Sequence, residues 1–145
     1  MVRVADEFQR DERYHLILLD CGFAVIDDFP PHQVTNVGVR EQAAVSLAAG
    51  MASEGMKPVI YSIASFIVFR AFEQIRLDVV ATNLPVKIIG YGSGNRFHRL
   101  GRSHVTDGLD LDILDQVGLE FYDASYPTHT DGWLIHDGPA YLRVP

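Results

Sequence analysis

A three-layer α/β/α sandwich around a mainly parallel sheet is the fold class that this sequence predicts. Short apolar runs, several rich in β-branched residues, recur along the chain as buried strands do. Helical stretches lie between them, the alternation that βαβ units produce. The chain has 145 residues, the size of one domain with one core. It is read as a single domain over 1–145, with no internal repeat and no interdomain linker.

The elements follow in order. His15–Asp20 (HLILLD) is a compact apolar run and the first expected strand. Glu41–Glu54 is Ala-rich and helical, with Gly55 placed to end it. Its apolar residues cover more than one face, so it is expected to be buried on several sides or to pack on another subunit. Lys57–Tyr61 (KPVIY) is the next strand. Ser65–Asn83 reads as one long helix, stopped before Pro85. Val86–Gly90 (VKIIG) is a strand, and Asp110–Val117 a weaker helix. Leu119–Tyr122 and Ala140–Val144 are the last strands. Between them only Asp131–Ile135 promises a turn of helix, too little for a full crossover.

Composition excludes several function classes. With 48% hydrophobic and 21% charged residues, the chain is neither disordered nor fibrous. A net charge of −7 argues against nucleic acid as a partner. No run of about 18 apolar residues occurs, so no membrane span is expected. Met1 to Asp20 carries acids throughout and lacks the pattern of a signal peptide. Cys21 is the single cysteine. It rules out an internal disulfide and fits a reducing cytoplasm.

Four groups of residues could carry chemistry. Glu41 opens the first strong helix, where an acid is also favoured by the helix dipole alone. Phe66, Phe69 and Phe72, at i, i+3 and i+6, form one aromatic stripe, suited to a core or to a flat ligand. Arg96, His98, Arg99, Arg102 and His104 crowd a Gly-punctuated stretch of an acidic chain. That stretch reads as a solvated loop or as the mouth of a site for an anionic substrate. Asp107, Asp110, Asp112 and Asp115 do not have calcium-loop spacing; they read as a solvated helix start, and no metal ligand is assigned.

Val37-Gly38-Val39-Arg40-Glu41-Gln42 resembles the VG(I/V)REQ motif of the pyrimidine-binding domain of the transketolase family. Further segments resemble that domain in the same order: Ala48–Ala52, Ser62–Phe66, Arg70–Arg76, Asn83–Val86, Leu100-Gly101-Arg102-Ser103-His104 against an LGPTH pattern, and Gly138–Arg143. The similarity covers roughly residues 35–145. It implies thiamine diphosphate and Mg²⁺ as cofactors. In the family a separate domain holds the diphosphate and metal through Gly-Asp-Gly, which this sequence lacks. The resemblance therefore implies one subunit of a split enzyme, with diphosphate-binding and C-terminal domains absent from this chain. The partner chain would hold most of the metal's ligands, in an α2β2 assembly.

The resemblance also implies roles. Glu41 matches the glutamate that hydrogen-bonds the aminopyrimidine nitrogen; a carboxyl in an apolar cleft is suited to hold and donate a proton. Phe66 and Phe69 match positions that flank the pyrimidine, and Phe72 one that is aromatic in relatives. His104 matches a substrate-contacting histidine able to shuttle protons. Arg96, His98, Arg99 and Arg102 would bind a sugar phosphate or carboxylate. Two departures stand out. Cys21-Gly22-Phe23 replaces the Ala-Asp-Leu that relatives often carry after the first strand, and the Glu-Asp-Gly before the histidine of some transketolases is missing. The reaction implied is two-carbon ketol transfer between sugar substrates. The alternatives are a thiamine-dependent decarboxylase or acyloin synthase subunit, or a non-catalytic scaffold for the diphosphate-binding partner.

Overall fold

The computed structural model describes residues 2–145 apart from 23 and 25. The elements are α1 (Val2–Arg10), β1 (Tyr14–Leu18), β2 (Val34–Asn36), α2 (Glu41–Ser53), β3 (Lys57–Ile63), α3 (Ala64–Arg70), α4 (Phe72–Gln74), β4 (Lys87–Tyr91), α5 (Leu109–Gln116), β5 (Glu120–Asp123), α6 (Pro127–Ile135) and β6 (Ala140–Val144). The six strands form one sheet in the order β2-β1-β3-β4-β6-β5. Every pairing is parallel.

Alternation along the strands divides the core between two faces. Ile17, Ile60, Ile88 and Tyr141 are in register across the sheet. They are buried against α2, α3 and α5, with Ala44, Ala48, Ile67 and Leu114. Leu18, Tyr61, Ile89 and Leu142 form the neighbouring row and point to the other face. There they meet Val4 and Phe8 of α1 and Trp133 and Leu134 of α6. The expected three-layer α/β/α sandwich is the observed one, and its sheet is wholly parallel among the described residues. No helix among these residues is long and apolar enough to cross a membrane.

Four expectations need correction. The sequence predicts nothing before the first strand, yet α1 is present. Its Val4, Ala5 and Phe8 are buried, with Phe8 against Tyr14 at 5.2 Å and Phe29 at 4.8 Å between ring centroids. β2 is a short edge strand that its composition hides. The expected single helix over 65–83 is broken at Ala71, whose φ of −107° and ψ of 19° leave helical geometry. It continues as α4 and then a π-helical segment, Ile75–Val80. Finally, the stretch before the last strand holds a nine-residue helix, α6, rather than one turn. Pro127 suits its first turn, and it is fixed by tertiary contacts: Trp133 is fully buried and donates from Nε1 to Ala140 O at 3.0 Å.

The aspartates also divide. Asp107, Asp112 and Asp115 are exposed, but Asp110 is fully buried. It accepts a hydrogen bond from the Tyr141 hydroxyl at 3.1 Å and lies 3.8 Å from Arg143 Nε. The reading of Asp110 as a solvated residue is thus overturned, because the first turn of α5 packs inward. Gly90 makes room for this contact: a Cβ there would lie 2.6 Å from Tyr141 Cε2 and overlap the hydroxyl itself.

Lys87, at the start of β4, is 4% exposed and donates to the carbonyls of His136 and Gly138, both at 2.6 Å. It ties the α6–β6 loop to the middle of the sheet. Burial pulls its ammonium down to about 8. The unfolded lysine keeps its proton to about 10.4, so between these values the unfolded chain binds more protons. This group's contribution therefore strengthens the fold as pH rises from about 8 towards 10.4, and weakens it as pH falls back through that window. Chemical denaturation of wild type and Lys87→Met across pH 7–10.5 should show this rise in the wild type alone; parallel curves would refute it.

Candidate functional site

In open parallel sheets, ligands bind beyond the carboxyl ends of strands, where the strand order reverses. Here β1 and β3 are neighbours, and their outgoing connections run to opposite sides of the sheet. Two helices begin at that edge. β3 runs directly into α3 at Ala64. The turn after β2 delivers α2: Asn36 Oδ1 accepts from the amides of Asp20 at 3.1 Å and Gly38 at 2.9 Å. Gly38 has φ +70°, which glycine adopts readily. Glu41 follows as the first residue of α2.

Glu41 is 4% exposed although it opens a helix. Arg70, at the end of α3, donates from Nη1 to Glu41 Oε1 at 3.0 Å. The Arg70 guanidinium carbon also lies 3.8 Å from the centre of the Phe66 ring. Phe66 in turn meets the His104 ring edge to face, 4.7 Å between centroids. Ser103 Oγ sits 3.1 Å from His104 Nδ1. Val39, Arg40, Glu41, Gln42, Ala43 and Arg70 line an open cleft of about 620 Å³. A buried carboxylate, a flat aromatic face and a half-buried imidazole therefore converge. Such a set can bind a planar, nitrogen-bearing ring and exchange a proton with it.

Of the sequence-predicted residues, Glu41, Phe66 and His104 come together. Phe69 and Phe72 do not join them. With Val68, Ile113 and Gln116 they line a separate apolar cleft of about 400 Å³. Arg96 lies over the Tyr91 ring at 5.1 Å and donates to Pro145 O at 3.2 Å. His98 Nδ1 lies 3.1 Å from Asn95 O. Arg99 and Arg102 are exposed. Among the described residues no group of three or more His, Cys, Asp or Glu is placed to hold a metal ion.

Cys21 is half-buried, its Sγ 3.6 Å from Tyr61 O, and burial pushes its thiol up. Phe23, part of the segment that replaces Ala-Asp-Leu, lies outside the described residues. Arg70 is the residue that sequence reasoning passed over. Its signal was available, since it stands four residues after Phe66 and hence on the same helix face.

Residues 19–106 match the family described as "Transketolase, pyrimidine binding domain". The chain is 30% identical over 144 residues to an uncharacterised 33.6 kDa protein of the fasciation locus of Rhodococcoides fascians, covering 94% of this chain and 46% of that one. It is 32% identical over 119 residues to an apulose-4-phosphate transketolase subunit of Actinobacillus succinogenes, covering 79% and 38%. It is 46% identical over 131 residues to 1-deoxy-D-xylulose-5-phosphate synthase of Prochlorococcus marinus strain MIT 9303, covering 86% and 20%. The chain thus spans less than half the length of each. Among solved structures, a split-gene transketolase in an inactive β4 tetramer superposes with a TM-score of 0.79 at 24% identity, covering 98% of this chain and 48% of that one. Transketolase from Leishmania mexicana gives 0.80 at 18%, covering 97% and 23%. At these identities the structural likeness speaks to the fold.

Proposed function

The chain belongs to the transketolase pyrimidine-binding domain family, and from that premise we propose that it is the pyrimidine-binding subunit of a split, transketolase-like enzyme. The reaction is two-carbon ketol transfer from a ketose to an aldehyde acceptor, in the cytoplasm. The observation that carries this reading is Glu41, almost wholly buried yet lining a cleft beside the Phe66 ring.

The residues present fit the aminopyrimidine half of thiamine diphosphate. Glu41 is a buried carboxyl, the group that would hydrogen-bond a ring nitrogen, and Arg70 holds its Oε1. Phe66 supplies a stacking face. When bound, the cofactor supplies a ring carbon that turns nucleophilic on losing its proton. Glu41 holds the pyrimidine in the tautomer able to accept that proton. His104 stands beside Phe66 to hydrogen-bond a substrate oxygen and move a proton at that atom. Arg96, His98, Arg99 and Arg102 belong to the loop that would meet the substrate's anionic group. Phe69 and Phe72, in their own apolar cleft, would be covered by a partner; a place for them beside the cofactor would need that cleft to join the Glu41 side on assembly.

A second polypeptide would bring the Gly-Asp-Gly domain and most of the Mg²⁺ ligands, as two copies of each chain; the likeness to a transketolase subunit and to a split-gene transketolase supports this arrangement. The Leu47 side of α2 is open, with Leu47 43% exposed and free space above Gly50. It would pack on another subunit. The test is co-purification with a Gly-Asp-Gly subunit, followed by calorimetry with thiamine diphosphate and Mg²⁺. Binding to the complex but to neither chain alone is expected; a stable complex that binds nothing would sink the catalytic reading. The 46% identity to a 1-deoxy-D-xylulose-5-phosphate synthase favours a second reading, a synthase or decarboxylase acting on a 2-oxo acid. Product analysis with a 2-oxo acid and with a ketose phosphate separates the two.

A further inference from the structure

One side chain already makes both contacts assigned above to the ligand. The Arg70 guanidinium lies flat enough against Phe66 to bring its carbon 3.8 Å from the ring centre. The same group donates to Glu41 Oε1 at 3.0 Å. A guanidinium is planar, carries N–H donors, stacks on aromatic faces and pairs with carboxylates. An aminopyrimidine shares its flatness, its amino donor and its affinity for an aromatic face and a carboxyl group. We infer that Arg70 is an internal occupant of the aminopyrimidine site, a side chain that must leave the Phe66 face before the ligand can take it. This rests on the reading of Glu41 and Phe66 as that site.

Two features make the residue able to leave. Its side chain is 44% exposed while that of Glu41 is 4% exposed, so the cation has water to retreat into. It is also the last residue of α3, directly before Ala71 leaves helical geometry, so its backbone is not held in a continuous helix. Contacts of this kind with a half-exposed cation are weak enough to exchange. Arg70 thus sets how readily the chain accepts a flat heterocycle, and it keeps the buried carboxylate partnered when no ligand is there.

The experiment uses the full chain and 4-amino-2,5-dimethylpyrimidine as probe, with binding followed by NMR. Arg70→Ala should bind the probe roughly tenfold more tightly than wild type, the worth of one stacking contact and one part-buried ion pair with a half-exposed cation. Arg70→Lys, which keeps the charge but not the flat group, should fall between them and guards against a folding artefact in the alanine variant. In the wild type, saturation should move the Arg70 Nε resonance away from its ring-shifted position. Equal or weaker binding by Arg70→Ala, or an Arg70 resonance that stays put while probe binds, would overturn the inference. Failure of the site reading looks different: probe bound by neither protein, or bound equally well after Glu41→Ala. Either result removes the ground on which Arg70 was assigned.

Discussion

Glu41→Ala in the proposed two-subunit enzyme is expected to lower turnover by about 10²–10⁴-fold, the range that one positioned acid–base group contributes. Assembly, read by light scattering, should be unchanged. The reason lies in where the carboxyl sits. It is 4% exposed at the start of α2, so water is poorly placed to replace the hydrogen bond proposed for it. Removing it leaves Arg70 unpaired, but that side chain is 44% exposed and finds water instead. The loss therefore falls on chemistry and not on folding. A variant that turns over within tenfold of wild type would show that Glu41 is only a first-turn acid favoured by the helix dipole. A non-catalytic scaffold would behave differently again: activity would belong to the partner, and substitution here would change assembly or nothing.

The largest stability effect is expected at Gly90. It lies mid-sheet on β4, opposite Arg143 of β6, with the Tyr141 ring where a side chain would go. Gly90→Ala forces that ring to move. The shift costs about 1–3 kcal/mol in overpacking. It also breaks the buried bond from the Tyr141 hydroxyl to Asp110, leaving that buried group, among the described residues, with no hydrogen-bond donor nearer than Arg143 Nε at 3.8 Å, roughly another 1–3 kcal/mol. A fall of about 2–6 kcal/mol in unfolding free energy should appear as a lower denaturant midpoint. Combining Gly90→Ala with Tyr141→Phe tests the cause: the pair should cost less than the sum of the single changes, because they share one lesion. A near-neutral Gly90→Ala, or strict additivity, would refute the argument.

The elements that were legible are those whose signal is local. Ile88 and Ile89 lie in an apolar run that no helix period explains, and β4 falls within one residue of its expected limits. The Ala-rich α2 begins at Glu41 as expected. What escaped is held by contacts across the chain. α6 contains Thr128, Thr130 and Gly132, poor helix formers, and is fixed by the burial of Trp133 and Leu134. β2 has only three residues and takes its identity from pairing with β1. Asp110 looked like its exposed neighbours because nothing in the spacing of those aspartates reveals that Tyr141 waits above one of them. The meeting of Glu41, Phe66 and His104 in space was legible for a different reason: they stand in motifs with family-like order. Arg70 stands in such a motif too, but an arginine at a helix end has many ordinary explanations and no role was read for it.

The strand order has a kinetic meaning. β6 is made after β5 yet lies between β5 and β4. Until it is synthesised, β4 has an unpaired edge and β5 has no neighbour at all. The growing chain must therefore hold a half-sheet with an exposed hydrogen-bonding margin while residues 92–139 emerge. Closing the sheet then means threading one strand between two others, a late, long-range step of the sort that folds slowly and invites intermolecular pairing. Production of this protein should depend more on temperature and chaperone supply during synthesis than its small size would imply.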